Sequence, residues 1–250
     1  MENLQPNQPA SPQSASRSAF GRSSSVVEAQ LAEQQPTARS HGWYPRLGKR
    51  VLDTLGASAG LVLTSPFLLV CAVAVRLDSR GPIFYRQLRV GQYGRTFQIF
   101  KFRTMIDSAD NQGPKFTASG DARITRVGKL LRRTKLDEIP QLLNVLRGEM
   151  SLVGPRPEVP EYTEQYAAQE QGVLEVRPGI TGPASLAYID EEHLLASAAD
   201  QENFYVHTIM RRKLQFDLDY CRNVCLLEDV RLILRTAGNL VGLQRFAVPE

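Results

Sequence analysis

The sequence predicts a helix-rich α/β protein that is attached to a membrane, and three observations lead to this fold class. Residues 54–75 form a run of 22 residues without a charged side chain, which is the length of a membrane helix. Residues 97–103 alternate apolar and polar side chains, as short β-strands do. Much of the remaining chain repeats apolar residues at helical spacing. Because the strand signal is short, we expect a small sheet among many helices.

The uncharged run is interrupted near its centre by Ser65-Pro66. Because proline lacks a backbone N–H and clashes with the preceding turn, we expect a sharp kink there. Lys and Arg residues flank the run on both sides, although this excess normally marks only the cytoplasmic side. A helical hairpin that enters and leaves on one face satisfies both flanks, and a kinked spanning helix fits the run itself. The pattern alone leaves both topologies open.

The composition divides the chain into three predicted parts. Residues 1–40 are rich in Ser, Gln, Pro and Ala and contain no secretory leader, so we expect a disordered N-terminal extension. Residues 41–78 form the predicted membrane anchor, in which Trp43 and Tyr44 suit the lipid–water interface. Residues 79–250 form the predicted cytosolic domain. Three cysteines are too few for a disulfide framework, which favours a reducing compartment.

The cytosolic domain is predicted to begin with short strands, a polar loop and a short basic helix, at residues 81–105, 106–122 and 123–133. A second helix begins near Asp137 and Glu138, because Pro140 is tolerated only in a first helical turn. It ends at Arg147-Gly148, a basic residue followed by a glycine.

Three further helices are predicted at residues 158–175, 200–222 and 226–243. The last one is amphipathic. Both packing into the core and a position in the membrane interface fit its pattern.

Charge is distributed unevenly along the chain. Residues 76–135, which follow the membrane run, carry a net charge of +10, whereas residues 136–250 carry −8. A basic surface beside a membrane attracts anionic lipid headgroups. The same surface also suits a phosphorylated substrate or a nucleic acid.

Asp137 and Glu138 are the candidate catalytic residues. They follow the cationic residues 132–135 and lie at a predicted helix N-terminus, where free N–H groups favour anions. Acidic residues in this position are also ordinary helix caps. If the substrate is a diphosphate, such a carboxylate can attack phosphorus. Mg²⁺ then offsets the charge, and arginines hold the phosphate oxygens. Since the histidines lack partners in the pattern, histidine-based chemistry is not expected.

Four stretches of sequence resemble the bacterial sugar transferases, also called small monotopic phosphoglycosyl transferases or polyprenyl-phosphate sugar-1-phosphate transferases. They are Ser65-Pro66 and residues 76–105, 123–158 and 177–186. The likeness covers about residues 45–245. It implies transfer of a sugar-1-phosphate from a UDP-sugar to polyprenyl (undecaprenyl) phosphate, the step that starts an exopolysaccharide, capsule or O-antigen type of glycan.

The resemblance also implies a fold and a location. The fold is a monotopic enzyme with a re-entrant helix–break–helix anchor and a compact catalytic domain that has a small sheet and amphipathic interface helices. The location is the cytoplasmic face of the bacterial inner membrane. The implied partners are the UDP-sugar, polyprenyl phosphate, membrane lipids and downstream glycosyltransferases, and nucleic acid is not among them.

The resemblance assigns roles to individual residues. Asp137 is implied as the nucleophile on the β-phosphorus and as the Mg²⁺ ligand, and Glu138 as its assistant, which activates the incoming polyprenyl phosphate. Ser65 and Pro66 form the implied membrane break. The implied substrate-binding residues are Lys101, Arg103, Arg132, Arg133, Pro155, Arg156 and Pro157.

Two rival classes explain parts of the pattern. A non-catalytic membrane scaffold with a basic lipid-binding surface predicts lipid binding that does not depend on Asp137 and no release of UMP. A membrane-tethered nucleic-acid binder predicts salt-dependent DNA binding, although the basic segment contains no recognised nucleic-acid motif. The sequence does not indicate which sugar is transferred, in which pathway, or in what oligomeric state.

Overall fold

The computed structural model describes residues 43–107 and 121–240. The predicted disorder of residues 1–40, most of the predicted loop at 106–122 and the end of the predicted last helix lie outside these residues. The main elements are α1 (Lys49–Asp78), β1 (Phe84–Val90), β2 (Thr96–Phe102), α2 (Arg126–Thr134), α3 (Leu142–Arg147), β3 (Ser151–Val153), α4 (Pro160–Thr163), β4 (Gly179–Thr181), α5 (Pro183–Ala187), α6 (Glu191–Ala196), α7 (Gln201–Phe204), α8 (Met210–Arg222) and α9 (Leu226–Leu240).

The long helix α1 carries the uncharged run and follows a π-helical turn at Tyr44–Gly48. It is apolar around most of its circumference, a pattern that requires burial in a core or in lipid. Its middle is not buried by the protein, since Val62, Leu63 and Phe67 are all more than half exposed. Within the described part of the chain, this one helix is long and apolar enough to cross a membrane.

The predicted helix–break–helix form of α1 is not confirmed, because the backbone stays helical through Ser65 and Pro66. Pro66 has no N–H to offer the carbonyl of Val62, one turn earlier. The hydroxyl of Ser65 donates to that carbonyl instead, at 2.8 Å. The Ser-Pro pair therefore removes one backbone hydrogen bond and replaces it with a side-chain bond.

Both ends of α1 pack against the rest of the protein. Near its start, Ala57 joins a buried cluster with Phe97 and Ile99 of β2. Near its end, Val75 joins a second cluster with Phe102, also from β2. The exposed middle of α1 therefore lies between two ends that the same strand helps to bury.

Where the sequence predicts one or two short strands, β1 and β2 form an antiparallel pair, with Phe84 opposite Phe102 and Val90 opposite Thr96. Because side chains alternate across a strand, Lys101 lies on the same face of β2 as Phe97 and Ile99. Lys101 is therefore the partly exposed last member of a row whose other side chains, Phe97 and Ile99, are buried.

A second sheet consists of the parallel pair β3 and β4, which the sequence did not predict. Helices α5 to α9 pack around it in the largest buried cluster, whose members include Val153, Leu186, Leu195, Met210 and Leu232. The predicted helix at residues 200–222 is confirmed, with a π-helical turn inside it. The predicted helix at residues 158–175 is only partly formed, because α4 ends at Thr163 and a 3₁₀ segment follows at Ala168–Glu175.

Helix α9 has one face in the protein core and another face exposed, so it fits both the core packing and the interface position that its sequence left open. Leu232 and Asp229 are buried in the core, whereas Leu227 and Leu234 are exposed. Asp229 accepts hydrogen bonds from Tyr44 and Lys49, each at 2.5 Å. These contacts tie α9 to the beginning of the apolar helix.

Candidate active site

Asp137 and Glu138 lie in a tight turn between two helices. Thr125 caps the N-terminus of helix α2, and its hydroxyl accepts from the N–H of Gly128 at 3.0 Å. Lys135 follows the last residue of α2 and adopts a left-handed conformation with φ 56°. A 3₁₀ segment at Leu136–Gln141 then leads directly into α3. The predicted position of the acidic pair at the start of a helical segment is confirmed.

Asn144 of α3 fixes this turn against β2. It is fully buried, its Oδ1 accepts from the N–H of Phe100 at 3.0 Å, and its Nδ2 donates to the carbonyl of Gln98 at 2.8 Å. The side-chain amide thus pairs with the strand as another backbone peptide would. Sequence reasoning missed Asn144, although a lone asparagine within an apolar helical stretch was a visible signal.

Glu138 holds two of the predicted substrate-binding cations. Its Oε1 accepts from Nζ of Lys101 and from a guanidinium nitrogen of Arg156, both at 2.8 Å. Although burial opposes ionisation, the charges of Arg156 and Lys101 keep the pKa of Glu138 well below its usual range. Glu138 is therefore a carboxylate at neutral pH, and it orients both cations.

Asp137 differs from its neighbour. It is 8% exposed, and burial followed by the charge of Glu138 raises its pKa. The helix N-terminus was expected to favour the anion, but burial outweighs it here. Its Oδ1 is buried without a hydrogen-bond partner among the described residues. An anion that is poorly solvated and poorly hydrogen-bonded is a stronger nucleophile than a solvated one.

The two carboxylates line a cavity of about 1110 Å³, which is large for a small-molecule site. Among the described lining residues, nine are Lys or Arg and six are Asp or Glu. This excess of positive charge suits an anionic substrate such as a phosphate ester.

Of the three remaining predicted substrate-binding cations, two line the cavity and one does not. Arg132 lines the cavity and pairs with Glu192 of α6. Arg103 lines it too and donates to the carbonyl of Ser79 at 2.7 Å, so it also ties β2 to the end of α1. The structure does not place Arg133 in the cavity wall, because this residue is exposed on α2.

The loop that carries Arg156 is held by close backbone packing. Pro155 and Pro157 are buried and do not line the cavity. The carbonyl of Pro155 accepts from the N–H of Gly179 at 2.8 Å. A Cβ on Gly179 would lie 2.1 Å from the nitrogen of Gly154, so this approach needs glycine. The two prolines therefore flank Arg156 from outside the cavity wall.

A second polar network lines the cavity and was missed by sequence reasoning. Tyr205 donates to Glu158 at 2.7 Å, and Lys213 donates to Glu191 at 2.9 Å. Tyr205 also packs against Tyr162, with ring centroids 5.1 Å apart. These residues come from four separate segments, so no local pattern could bring them together.

Asp137 is the residue best suited to the predicted metal role. Its Oδ1 is an unused buried acceptor, whereas Glu138 is occupied by cations. The described residues contain no group of three or more His, Cys, Asp or Glu side chains that could hold a metal. Mg²⁺ is commonly bound by one or two carboxylates together with substrate phosphates, and this donor set fits that mode.

Comparisons with known proteins add an independent finding. The profile of the family described as Bacterial sugar transferase matches residues 44–242. A UDP-glucose:undecaprenyl-phosphate glucose-1-phosphate transferase of Caulobacter vibrioides is 40% identical over 212 residues, which are 82% of this chain and 75% of the relative.

Two other relatives are longer proteins. A UDP-N-acetylgalactosamine-undecaprenyl-phosphate N-acetylgalactosaminephosphotransferase of Aeromonas hydrophila is 39% identical over 77% of this chain and 43% of its own length. A UDP-glucose:undecaprenyl-phosphate glucose-1-phosphate transferase of Escherichia coli is 37% identical over 76% of this chain and 39% of its own length. The names of these relatives differ in the sugar.

Proposed function

The chain belongs to the bacterial sugar transferase family and is a transferase, and on this premise we propose the reaction that it catalyses. It transfers a sugar-1-phosphate from a UDP-sugar to undecaprenyl phosphate or a related polyprenyl phosphate, through a covalent intermediate on Asp137. The product is the first lipid-linked sugar of a glycan of the exopolysaccharide, capsule or O-antigen type, which downstream glycosyltransferases extend.

One observation carries this proposal. The buried Oδ1 of Asp137 has no partner in the described structure, and it belongs to a cavity that also contains Lys101, Arg132 and Arg156. These cations provide charge-assisted hydrogen bonds for a diphosphate. A buried carboxylate and cations that suit a diphosphate therefore share one cavity, which supports the proposal.

The first half-reaction releases UMP. An oxygen of Asp137 attacks the β-phosphorus, and the bond from that phosphorus to the bridging oxygen breaks. UMP leaves with the bridging oxygen and its electron pair, and the sugar phosphate stays on Asp137 as an acyl phosphate. Lys101 and Arg156 hold the phosphate oxygens while negative charge moves onto UMP.

The second half-reaction regenerates the carboxylate. A phosphate oxygen of the polyprenyl phosphate attacks the same phosphorus, and the bond from phosphorus to the Asp137 oxygen breaks. Because Glu138 has a low pKa and two cationic partners, it is poorly suited to accept a proton near neutral pH. We assign to Glu138 the orientation of Lys101 and Arg156, in place of the acceptor-activating role that the resemblance implied.

Mg²⁺ also belongs to the proposal, with Asp137 as its protein ligand. When bound there together with substrate phosphates, it offsets the negative charge that otherwise separates a carboxylate from a diphosphate. The free acceptor on Asp137 supports this assignment.

The proposal also covers the membrane topology. We infer that α1 is re-entrant and that the protein lies on the cytoplasmic face of the bacterial inner membrane. Support comes from the ends of α1, since Ala57 and Val75 both join clusters that contain β2 residues. A helix whose two ends pack against one globular body does not place them on opposite sides of a bilayer.

The test is a UMP-release assay with undecaprenyl phosphate, Mg²⁺ and a panel of UDP-sugars. The wild-type protein should release UMP from at least one donor, with ping-pong kinetics and a phosphosugar trapped on Asp137 when the acceptor is omitted. Asp137→Asn should lower turnover by at least about 10³-fold, as loss of a nucleophile does. Because burial raises the pKa of Asp137, the rate should decline on acidification at a higher pH than for an exposed aspartate.

Arg156→Ala provides the second arm. It should weaken transfer strongly while membrane association stays unchanged, because Arg156 lines the cavity, contacts Glu138 and is not part of the apolar helix α1. Near-normal turnover of Asp137→Asn, or no UMP release by the wild-type protein from any donor, would end the proposed mechanism.

A further inference from the structure

Asn239 carries an unsatisfied and uncharged polar group in the same cavity. It lies in the last described turn of α9 and contributes to the cavity wall together with Asp137. Its Oδ1 and Nδ2 are both buried, and neither has a hydrogen-bond partner in the described ranges 43–107 and 121–240. An unpaired buried amide is costly and uncommon in a folded protein. Such a group in a cavity wall is available to a ligand.

Two hydroxyl groups line the cavity with Asn239. The Oγ1 atoms of Thr181 and Thr236 lie 2.6 Å apart, and Thr236 donates to the carbonyl of Leu232 at 2.8 Å. Thr181 is therefore the donor in the hydroxyl pair, and its own oxygen keeps free acceptor capacity. Helix α9 and strand β4 thus contribute neutral hydrogen-bonding groups to the wall.

Apolar side chains complete this part of the wall. Ile139, Leu142 and Ile180 line the cavity, and Ile139 and Leu142 follow Asp137 by two and five residues. Leu142 also lies against α1, since a Cβ on Gly60 would come within 3.1 Å of it. The neutral and apolar lining therefore contrasts with the cations that surround Glu138.

We propose that Asn239, Thr181 and Thr236 form the subsite for the sugar of the donor, and that Asn239 helps to determine which sugar is accepted. A phosphate requires hydrogen-bond donors and positive charge, and this group supplies no charge. A sugar ring presents hydroxyl or acetamido groups that both donate and accept, together with apolar C–H faces. An amide that offers one acceptor and two donors beside aliphatic side chains matches that chemistry.

This inference rests on the proposed function, because it places the sugar beyond the phosphate that Asp137 attacks. The first half-reaction contains the sugar and needs no lipid acceptor. A sugar contact therefore affects UMP release in the absence of acceptor, whereas a lipid contact affects only the second half-reaction. The two half-reactions separate the alternatives.

The experiment compares Asn239→Ala with wild type and with Asn223→Ala, an asparagine at the end of α8 that does not line the cavity. UMP release is measured from UDP-glucose, UDP-galactose and their N-acetylated counterparts. For the preferred donor, Asn239→Ala should lower kcat/KM by about 10- to 100-fold, as loss of a hydrogen bond to a substrate hydroxyl does. The ratio of kcat/KM between the preferred donor and the other UDP-sugars should therefore decrease. The KM for undecaprenyl phosphate and inhibition by UMP should not change, and Asn223→Ala should behave as wild type.

Thr236→Val and Thr236→Ser provide a second pair if Asn239→Ala is unstable. Val removes the hydroxyl with little change of shape and should reduce the discrimination between UDP-sugars. Ser keeps the hydroxyl and should retain the wild-type discrimination. An unchanged sugar preference in stable Asn239→Ala and Thr236→Val proteins overturns the proposal, as does a selective rise in the KM for undecaprenyl phosphate. Absence of UMP release by the wild-type protein instead contradicts the proposed function.

Discussion

At the scale of single residues, the adjacent carboxylates Asp137 and Glu138 acquire opposite properties from their surroundings. Glu138 accepts hydrogen bonds from Lys101 and Arg156, and these cations hold its pKa low. Oδ1 of Asp137 has no hydrogen-bond partner among the described residues, and burial raises the pKa of this carboxyl group. The sequence shows two acidic residues of equal standing, and only their neighbours separate the candidate nucleophile from the residue that orients the cations.

Replacing Glu138 by Gln tests this division of roles. Gln retains an acceptor for both cations but lacks the charge that holds them together, so the first half-reaction should slow by about 10- to 100-fold. Rapid-quench measurement of UMP release without acceptor reports this step, with the exposed Glu164→Gln as the control. A normal UMP burst combined with a blocked acceptor step would instead assign Glu138 to activation of the lipid phosphate.

Asp217 of α8 makes stability depend on pH. Burial raises the pKa of Asp217 to about 7, against the opposing charge of Lys213 and the N–H groups of Ala184 and Arg156. The folded state therefore holds a proton that the unfolded chain releases near pH 4. The contribution of Asp217 to the free energy of unfolding should fall as pH rises from about 4 to 7, by up to about 1.4 kcal/mol per pH unit, and should level off above that.

Denaturant unfolding in detergent across this pH range measures the dependence. Asp217→Asn should flatten the curve, because the amide does not titrate. Asp219→Asn, on the exposed side of the same helix, should leave it unchanged. The same pH dependence in wild type and Asp217→Asn would contradict the raised pKa of Asp217.

The sequence identified the residues of the site more readily than their arrangement. Asp137, Glu138, Lys101 and Arg156 are brought together as the motif suggested, because local patterning marks the turn and the strand that carry them. Arg133 is not brought to the cavity, since an 11-residue basic stretch does not show which face of a helix meets a partner. Distant contributors such as Glu158 and Asn239 depend on tertiary packing and leave no local signal.

At the scale of elements, long patterns were predictable and short ones were not. The apolar run, the hairpin and the later helices each contain several turns or alternations, which fix their period. Strands β3 and β4 have three residues each and no readable period. They pair because Gly154 and Gly179 permit close backbone approach, a property of two segments that neither shows alone.

The Ser65-Pro66 pair in α1 allows an element-scale prediction. Ser65→Ala leaves the carbonyl of Val62 without its 2.8 Å partner and should cost about 1 kcal/mol while Pro66 is present. In a Pro66→Ala background, the restored backbone N–H bonds that carbonyl, and Ser65→Ala should cost almost nothing. A double-mutant cycle from unfolding in detergent measures this coupling. Equal costs in the two backgrounds would show that the serine does not compensate for the proline.

At the scale of the whole molecule, the ends of α1 determine how the protein meets a membrane. The helix has 30 residues, a length of about 45 Å if straight, so length alone permits crossing. Against crossing, Asp53 near its start accepts from the hydroxyl of Ser151 and the N–H of Leu152, each at 2.9 Å. Near its end, Asp78 accepts from the N–H of Val127, also at 2.9 Å. If α1 crossed the bilayer, one of these two attachments would have to break, and its polar groups would lose their hydrogen-bond partners.

We therefore expect a tag placed before Trp43 and a tag placed after Glu250 to lie on the same, cytoplasmic side. Protease added to intact spheroplasts should cleave neither tag, and both should become sensitive once the inner membrane is permeabilised. Replacing Asp53 and Asp78 by Ala weakens the attachment at both ends of α1 while leaving its uncharged run intact. This variant should lose stability in detergent more than either single variant. Cleavage of the first tag alone in intact spheroplasts would establish a spanning helix and would separate the start of α1 from the cavity that its end helps to support.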